Sequence, residues 1–472
     1  MQDFNTTTDD NFSRKKQLQT HFIMKFQRLA LILAVIFSNF FAYTQKSGGG
    51  EANPNLSTNK EALARFQDNR FGMFIHWGPV SLRGVEIGWS RGTAVPIAEY
   101  DAMYKEFNPV LFDADAWIKT VKAAGMKYIV FTTKHHDGFC MWDSKFTDYD
   151  IMSTPYKKDI VKDLAVACKK YGVDFGIYYS IADWHHPDYA TRYGGDPRPV
   201  NSSDMSKYVT YMKNQLKEII DNYDPTLIWF DGGWEGCYTH EMGMDLYAYL
   251  RQLKSNLIIN DRIDKGIVGM EETKYEHPER YAGDYETPEQ RIGGYKVDVP
   301  WETCMTICQQ WAWKPNDTMK GLENSLLTLS KVTGGGGNLL YNVGPMPDGR
   351  FEKRQTEMLS EMGKWLDKNG EAIFKTQGGP YEPTSDFVTT RKDTKIYLHI
   401  LNKALTDITL PIPDKVKINK IMKLEDGKSI AFETVDDMIK LRLTPSTTVP
   451  YVIEIETNTN TKGLKSIKRN LY

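Results

Sequence analysis

The chain has 472 residues and a formal net charge of -2. It is longer than one domain usually requires, and its charge is too balanced to call for nucleic acid or an acidic surface as a partner. Aromatic residues make up 12%, with 11 Trp and 26 Tyr, many beside polar residues in the first two thirds, as in a pocket that stacks on a ligand.

Residues 1–45 read as an N-terminal extension followed by a secretory signal. Met24-Lys25-Phe26-Gln27-Arg28 precedes the apolar run Leu29 to Ala42, and Met24 is the expected start. The run is shorter than the ~20 residues a membrane span needs, so export to the periplasm or medium is expected, with no stable membrane insertion once the signal is removed. Residues 46–58, rich in Gly, Ser, Asn and Pro, read as a flexible leader.

From 59 to 377 strands and helices alternate. Strands are predicted at Phe71–Trp77, Tyr128–Thr133, Phe175–Ser180, Thr226–Asp231, Leu257–Asn260 and Asn338–Val343. Helices are predicted at Asp113–Ala124, Asp159–Tyr171, Asp204–Tyr223, Met242–Lys254, Met319–Val332 and Glu352–Lys368. Repeated βα units predict an α/β fold, a TIM barrel of the (β/α)8 kind, with an open doubly wound sheet as the alternative. No Gly-x-Gly-x-x-Gly follows the first strand, so no nucleotide cofactor is expected. After Gly378-Gly379-Pro380 short strands follow one another between turn residues, which predicts a small antiparallel β-sandwich over 378–457. Residues 458–472 read as a disordered tail.

The strand ends carry the chemistry. They read Phe74-Ile75-His76-Trp77-Gly78, Lys134-His135-His136-Asp137, Tyr178-Tyr179-Ser180 running on to Asp183-Trp184-His185-His186, Trp229-Phe230-Asp231 and Asn260-Asp261-Arg262. In a barrel these ends converge on one mouth. Imidazoles, indoles, a phenol, a guanidinium and carboxylates around one cup suit a sugar, whose hydroxyls need directed partners and whose ring face stacks on aromatics. Glycoside cleavage needs two carboxylates as a rule. Asp231 is the first, at the end of an apolar strand with Gly232 and Gly233 behind it. Asp284, Glu286, Glu289 and Glu302 are candidates for the second. A metal site built on His76, His135, His136, His185 and His186 is the competing reading. Adjacent His on a strand point to opposite faces, and no His-Glu-x-x-His is present. Cys140, Cys168, Cys237, Cys304 and Cys308 lack zinc-knuckle spacing and read as small buried residues.

Several of these segments resemble the α-L-fucosidases of glycoside hydrolase family 29. They are Phe71-Gly72-Met73-Phe74-Ile75-His76-Trp77-Gly78, Thr133 to Phe139, Trp229-Phe230-Asp231-Gly232, Asn260-Asp261-Arg262, Thr287-Pro288-Glu289, Trp301-Glu302-Thr303-Cys304 and Asn338 to Pro345. The resemblance spans roughly 60–375. It implies a retaining enzyme on terminal α-L-fucose of oligosaccharides or glycoconjugates, with Asp231 as nucleophile and Glu289 as acid/base, Glu286 and Glu302 in reserve. It further implies sugar contacts from His76, Trp89, His135, His136, Tyr178, Trp229, Arg262 and Trp311, the last against the C6 methyl, and no metal. Many members carry Glu-Trp where this chain has Gly88-Trp89, with Glu86 two residues earlier. A barrel that binds fucose without cleaving it, and a metal-dependent hydrolase, are the alternatives.

Overall fold

The computed structural model describes residues 56, 58–266, 282–448 and 450–468. By its contacts the chain divides at Gly48, and all described residues belong to the second unit, Gly49–Tyr472. The expected signal and nearly all of the leader lie outside the described residues. Leu56 and Thr58, at the leader's end, are buried.

Helix α1 (Lys60–Asn69) leads into β1 (Phe71–Ile75). There follow α2 (Ala114–Ala123), β2 (Tyr128–Lys134), α3 (Ile160–Tyr171), β3 (Asp174–Ser180), α4 (Met205–Tyr223) and β4 (Leu227–Asp231). Then come α5 (His240–Leu253), β5 (Ile258–Ile259), β6 (Glu302–Thr306), α6 (Leu322–Gly334), β7 (Asn338–Val343) and α7 (Lys353–Asn369). The helices start where a short polar side chain can take a free N–H of the first turn: Asp113 accepts from Ala116, Asp159 from Lys162, Asp204 from Ser206 and Thr239 from Met242.

The seven parallel strands order as β5-β4-β3-β2-β1-β7-β6, a curled TIM-like sheet rather than an open doubly wound one. Alternate residues of each strand feed two different cores, as a period of two requires. Ile129, Phe131, Ile228, Phe230, Leu339 and Tyr341 pack outward against the helices. Phe74, Tyr128, Val130, Tyr178, Trp229 and Leu340 fill the barrel interior, where Phe66 of α1 joins them.

Two differences from the predicted elements matter. No strand is predicted between Asn260 and Asn338, yet Glu302–Thr306 is a fully buried strand paired with β7. Its polar residues hide the strand pattern: Glu302 finds its partners, Tyr128 and Trp229, inside the barrel, and Thr303 and Thr306 bond the neighbouring segment. Among the described residues between β5 and β6 there is no regular strand pairing; single parallel bridges, Asn260 to Tyr285, Glu286 to Trp301 and Glu289 to Cys304, connect them. An irregular segment thus takes the place of a stave, and it carries Glu289.

Beyond the barrel lie β8 (Gln377–Gly378), β9 (Phe387–Lys392), β10 (Lys395–Ile400), β11 (Asp407–Pro411), β12 (Ile418–Lys423), β13 (Phe432–Val435), β14 (Met438–Arg442) and β15 (Tyr451–Thr457). They form a five-stranded sheet, β12-β15-β10-β9-β8, and a three-stranded one, β11-β14-β13. Ile396, Leu398 and Ile453 of the first sheet share a core with Ile408, Leu410 and Leu441 of the second. The expectation of a disordered tail is corrected for 458–468. Thr461 is buried and its N–H bonds the Asp393 carbonyl, and the Ile467 N–H bonds that of Pro380. The Thr461 hydroxyl also donates to the Asp393 carbonyl, and Leu464 and Ile467 pack on the sandwich core, contacts that a mostly polar stretch does not announce.

Candidate active site

The strand ends meet at a cavity of about 450 Å³. Asp231 and Glu289 line it together, with His76, His135, Tyr178, Trp229 and Arg262 around them and Trp89 and Trp311 completing the wall. Phe74 and Trp234 also line it and were not singled out from sequence. Phe74 was legible, since it lies two residues before His76 on the same face of β1. Trp234 follows Gly232-Gly233, where direction depends on the turn.

Asp231 ends β4 as expected. Its Oδ1 accepts from Arg262 Nη1 at 3.0 Å and its Oδ2 from the Tyr178 hydroxyl at 3.0 Å. Gly232 turns the chain away with φ +82°; a Cβ there would sit 2.7 Å from the Ala182 nitrogen. Arg262 is buried, its guanidinium 4.5 Å above the Trp229 ring, with Nε donating to Thr287 Oγ1 at 3.0 Å. Its Nη2 lies 2.8 Å from Glu289 Oε2. One guanidinium therefore spans both carboxylates. Burial pulls Arg262 down, but Glu289 and Asp231 outweigh it and hold the group above its ordinary value. Burial pushes the Glu289 carboxyl up; Arg262 opposes this and the Asp231 charge adds to it.

The histidines have determinate roles. The Asn342 amide donates to the Trp311 carbonyl, so its Oδ1 faces His76 Nδ1 at 2.7 Å and Nδ1 carries the proton. Burial lowers His76 to about 3, leaving a neutral ring with Nε2 as an acceptor. Ser180 donates to the Ala182 carbonyl and so accepts from His136 Nδ1 at 2.6 Å. His136, lowered by burial to about 4, stands just behind the cavity lining. Its buried Nε2 has no hydrogen-bond partner and lies 3.7 Å from Asp231 Oδ2, too far for a direct bond.

The expectation that His135 and His136 point to opposite faces is corrected. β2 ends at Lys134, both residues lie on the turn beyond it, and their ring centroids are 4.1 Å apart. Among the described residues, no group of three His, Cys, Asp or Glu is placed to hold a metal ion. His185 stacks on Tyr149 and His186 packs on Tyr211; neither lines the cavity.

The remaining acids are placed elsewhere. Asp284 is buried and accepts from Thr58, Tyr247, Arg251 and the Ile259 N–H, which makes it a structural anchor. Glu286 pairs with Lys296 at 2.6 Å. Glu302 is sealed inside the barrel. Glu86 accepts the N–H groups of Trp311 and Ala312 and does not line the cavity; it ties the loop before Trp89 to the loop carrying Trp311.

A TIM-like barrel with two carboxylates in an aromatic cup at its strand ends is a glycoside hydrolase. Residues 41–371 match the family model for α-L-fucosidase, and the chain belongs to that family, glycoside hydrolase family 29. It is 31% identical over 359 residues to the plasma α-L-fucosidase of Pongo abelii, covering 70% of this chain and 73% of that one. Among solved structures it is similar to α-L-fucosidase isoenzyme 1 from Paenibacillus thiaminolyticus, with 32% identity and a TM-score of 0.76, covering 84% of this chain and 99% of that one. It is also similar to a family 29 α-L-fucosidase of Bacteroides thetaiotaomicron, trapped as a covalent intermediate with 2-fluoro-fucosyl fluoride in a Glu-to-Gln mutant. Identity there is 29%, the TM-score 0.76, and the cover 85% of this chain and 97% of that one.

Proposed function

We propose that this enzyme removes terminal α-L-fucose from glycans with retention of configuration, through a covalent fucosyl-enzyme. The observation that carries the reading is the pair Asp231 and Glu289 held by one guanidinium in a small aromatic cup. Asp231, oriented by Tyr178 and Arg262, attacks the anomeric carbon as the glycosidic bond breaks. Glu289 gives its proton to the departing oxygen, then takes one from the water that releases fucose. A carboxyl raised by burial suits that first step, since it keeps its proton to higher pH than an ordinary carboxyl does. Neutral His76, on the cavity wall, presents the lone pair of its Nε2 to a sugar hydroxyl, and His136 stands behind that wall beside Asp231. Trp311, against Phe74 and His76, offers the apolar wall for the C6 methyl. Such a wall separates fucose from its hydroxymethyl analogue by only ~1–3 kcal/mol per methyl-sized difference.

The test is hydrolysis of 4-nitrophenyl α-L-fucoside beside a fucosylated trisaccharide, using protein without residues 1–45, with the anomer released read by NMR. Initial release of α-fucose supports the reading. β-Fucose would overturn retention, and binding without cleavage would make the protein a lectin-like barrel. The signal-like stretch from Met24 through the apolar run Leu29 to Ala42 supports export, checked by sequencing the N-terminus of the secreted protein.

A further inference from the structure

Glu302 is a buried acid that the chemistry above does not use. It is 0% exposed at the start of β6. Its Oε1 accepts the indole N–H of Trp229 at 3.2 Å, and its Oε2 pairs with the Tyr128 hydroxyl. Trp229 lines the cavity and Glu302 does not, so the acid braces the floor from within the barrel.

The forces on the Trp229 ring show what this brace does. Tyr178 stacks on the ring with centroids 5.6 Å apart and planes at 18°, and the Arg262 guanidinium lies 4.5 Å from its centroid. Stacking and cation–π attraction act across the plane of a ring and resist sliding within it only weakly. The N–H bond acts along the plane. It is the contact that fixes the rotation of the indole, and with it the surface on which the guanidinium rests. A buried carboxyl costs desolvation that a leucine would not, and its return is a directed acceptor at this point.

We infer that Glu302 is a positioning residue: by holding the Trp229 indole it sets where Arg262 lies between Asp231 and Glu289. The inference rests on the fucosidase reading. Burial pushes the carboxyl to about 8, so Glu302 is protonated at neutral pH. The titratable groups facing it are Tyr128 from β2 and Tyr285 from the irregular stave, with Arg262 beyond the indole. Glutamine keeps an acceptor oxygen for the Trp229 N–H, and leucine does not.

The experiment compares Glu302→Gln with Glu302→Leu in kcat, KM and the pH profile on 4-nitrophenyl α-L-fucoside. Glu302→Gln is expected to stay within about threefold of wild-type kcat, with the alkaline limb unmoved. Glu302→Leu is expected to lose about tenfold or more in kcat with KM nearly constant, and its alkaline limb to move up by about half a pH unit or more. The limb moves because Arg262 is the cation that opposes the rise of Glu289. Trp229→Phe, which keeps an aromatic floor and lacks the N–H, is expected to move the limb the same way and covers the case of a Leu variant that does not fold. A folded Glu302→Leu enzyme with wild-type kcat and limb would reduce Glu302 to packing. A Gln variant as impaired as Glu289→Gln would mean that Glu302 itself transfers the proton, overturning the inference from the other side. Wild-type protein inert on any fucoside would instead remove the reading on which the inference stands.

Discussion

At the scale of single residues, the two carboxylates separate by environment. Asp231 is oriented by hydrogen bonds from Arg262 and Tyr178, and Asp231→Ala is expected to abolish turnover, a loss of about 10³-fold or more, while circular dichroism stays that of the folded protein. Glu289 works protonated in the first step, so kcat/KM should fall as pH rises through its elevated value. Glu289→Gln should remove that limb and restore partial turnover on substrates whose leaving group needs no proton. Glu302 has a consequence for stability as well. Below the unfolded carboxyl value of about 4.3 both states hold the proton; above it the unfolded chain releases the proton while the folded one keeps it until about 8. Folding stability from this group is therefore lost as pH rises across that window. Glu302→Gln lacks the loss, so urea unfolding should show its advantage over wild type growing between pH 5 and pH 8, by roughly 1–3 kcal/mol.

At the scale of elements, the turn beyond β2 sets two of the imidazoles. Lys134, 0% exposed, pairs with Asp183 at 3.1 Å, and Asp183 also accepts the N–H groups of His185 and His186. The Trp184 N–H then bonds the His136 carbonyl. Lys134→Met would leave Asp183 buried without its cation, at about 3–5 kcal/mol; differential scanning calorimetry should show that loss together with weaker fucose binding. Gly88 approaches the same turn from the other side with φ +66°, and a Cβ there would meet His135 Nδ1 at 2.6 Å. Gly88→Ala should raise KM, for a drop of about tenfold in kcat/KM, with kcat less affected. These elements were only partly legible. Asp113, Asp159 and Asp204 announced their helices because capping is local. β6 did not announce itself, because its polar residues look like loop: Glu302 finds its partners, Tyr128 and Trp229, in distant strands, and Thr303 and Thr306 bond Arg291 and Gln290 of the segment before it.

At the scale of the whole molecule, barrel and sandwich share a surface. Trp365 of α7 donates to the Pro450 carbonyl at 3.0 Å, Thr390 donates to the Ala372 carbonyl at 2.6 Å, and a Cβ on Gly334 would sit 2.6 Å from Val388. Removing residues from 378 onward would expose that face of α6 and α7, so the shortened chain should be recovered in poor yield and lose activity at a lower temperature than the full one. Among the described residues no helix is long and apolar enough to cross a membrane. By itself the sequence determined the order of the strands and helices apart from α1 and β6, and the residue types gathered at the strand ends, because each of these is a short-range pattern. It also marked Asp231, which a rigid strand delivers to the mouth. Only the tertiary structure decided which later acid joins Asp231 in the cavity. Asp284, Glu286, Glu289 and Glu302 fall within a short stretch and look alike along the chain, yet one anchors α5, one meets a lysine, one is sealed in the barrel and Glu289 alone reaches Arg262 in the cavity. That choice is made by a segment that closes a barrel without regular strand pairing, and so follows from contacts far apart in sequence rather than from any local preference.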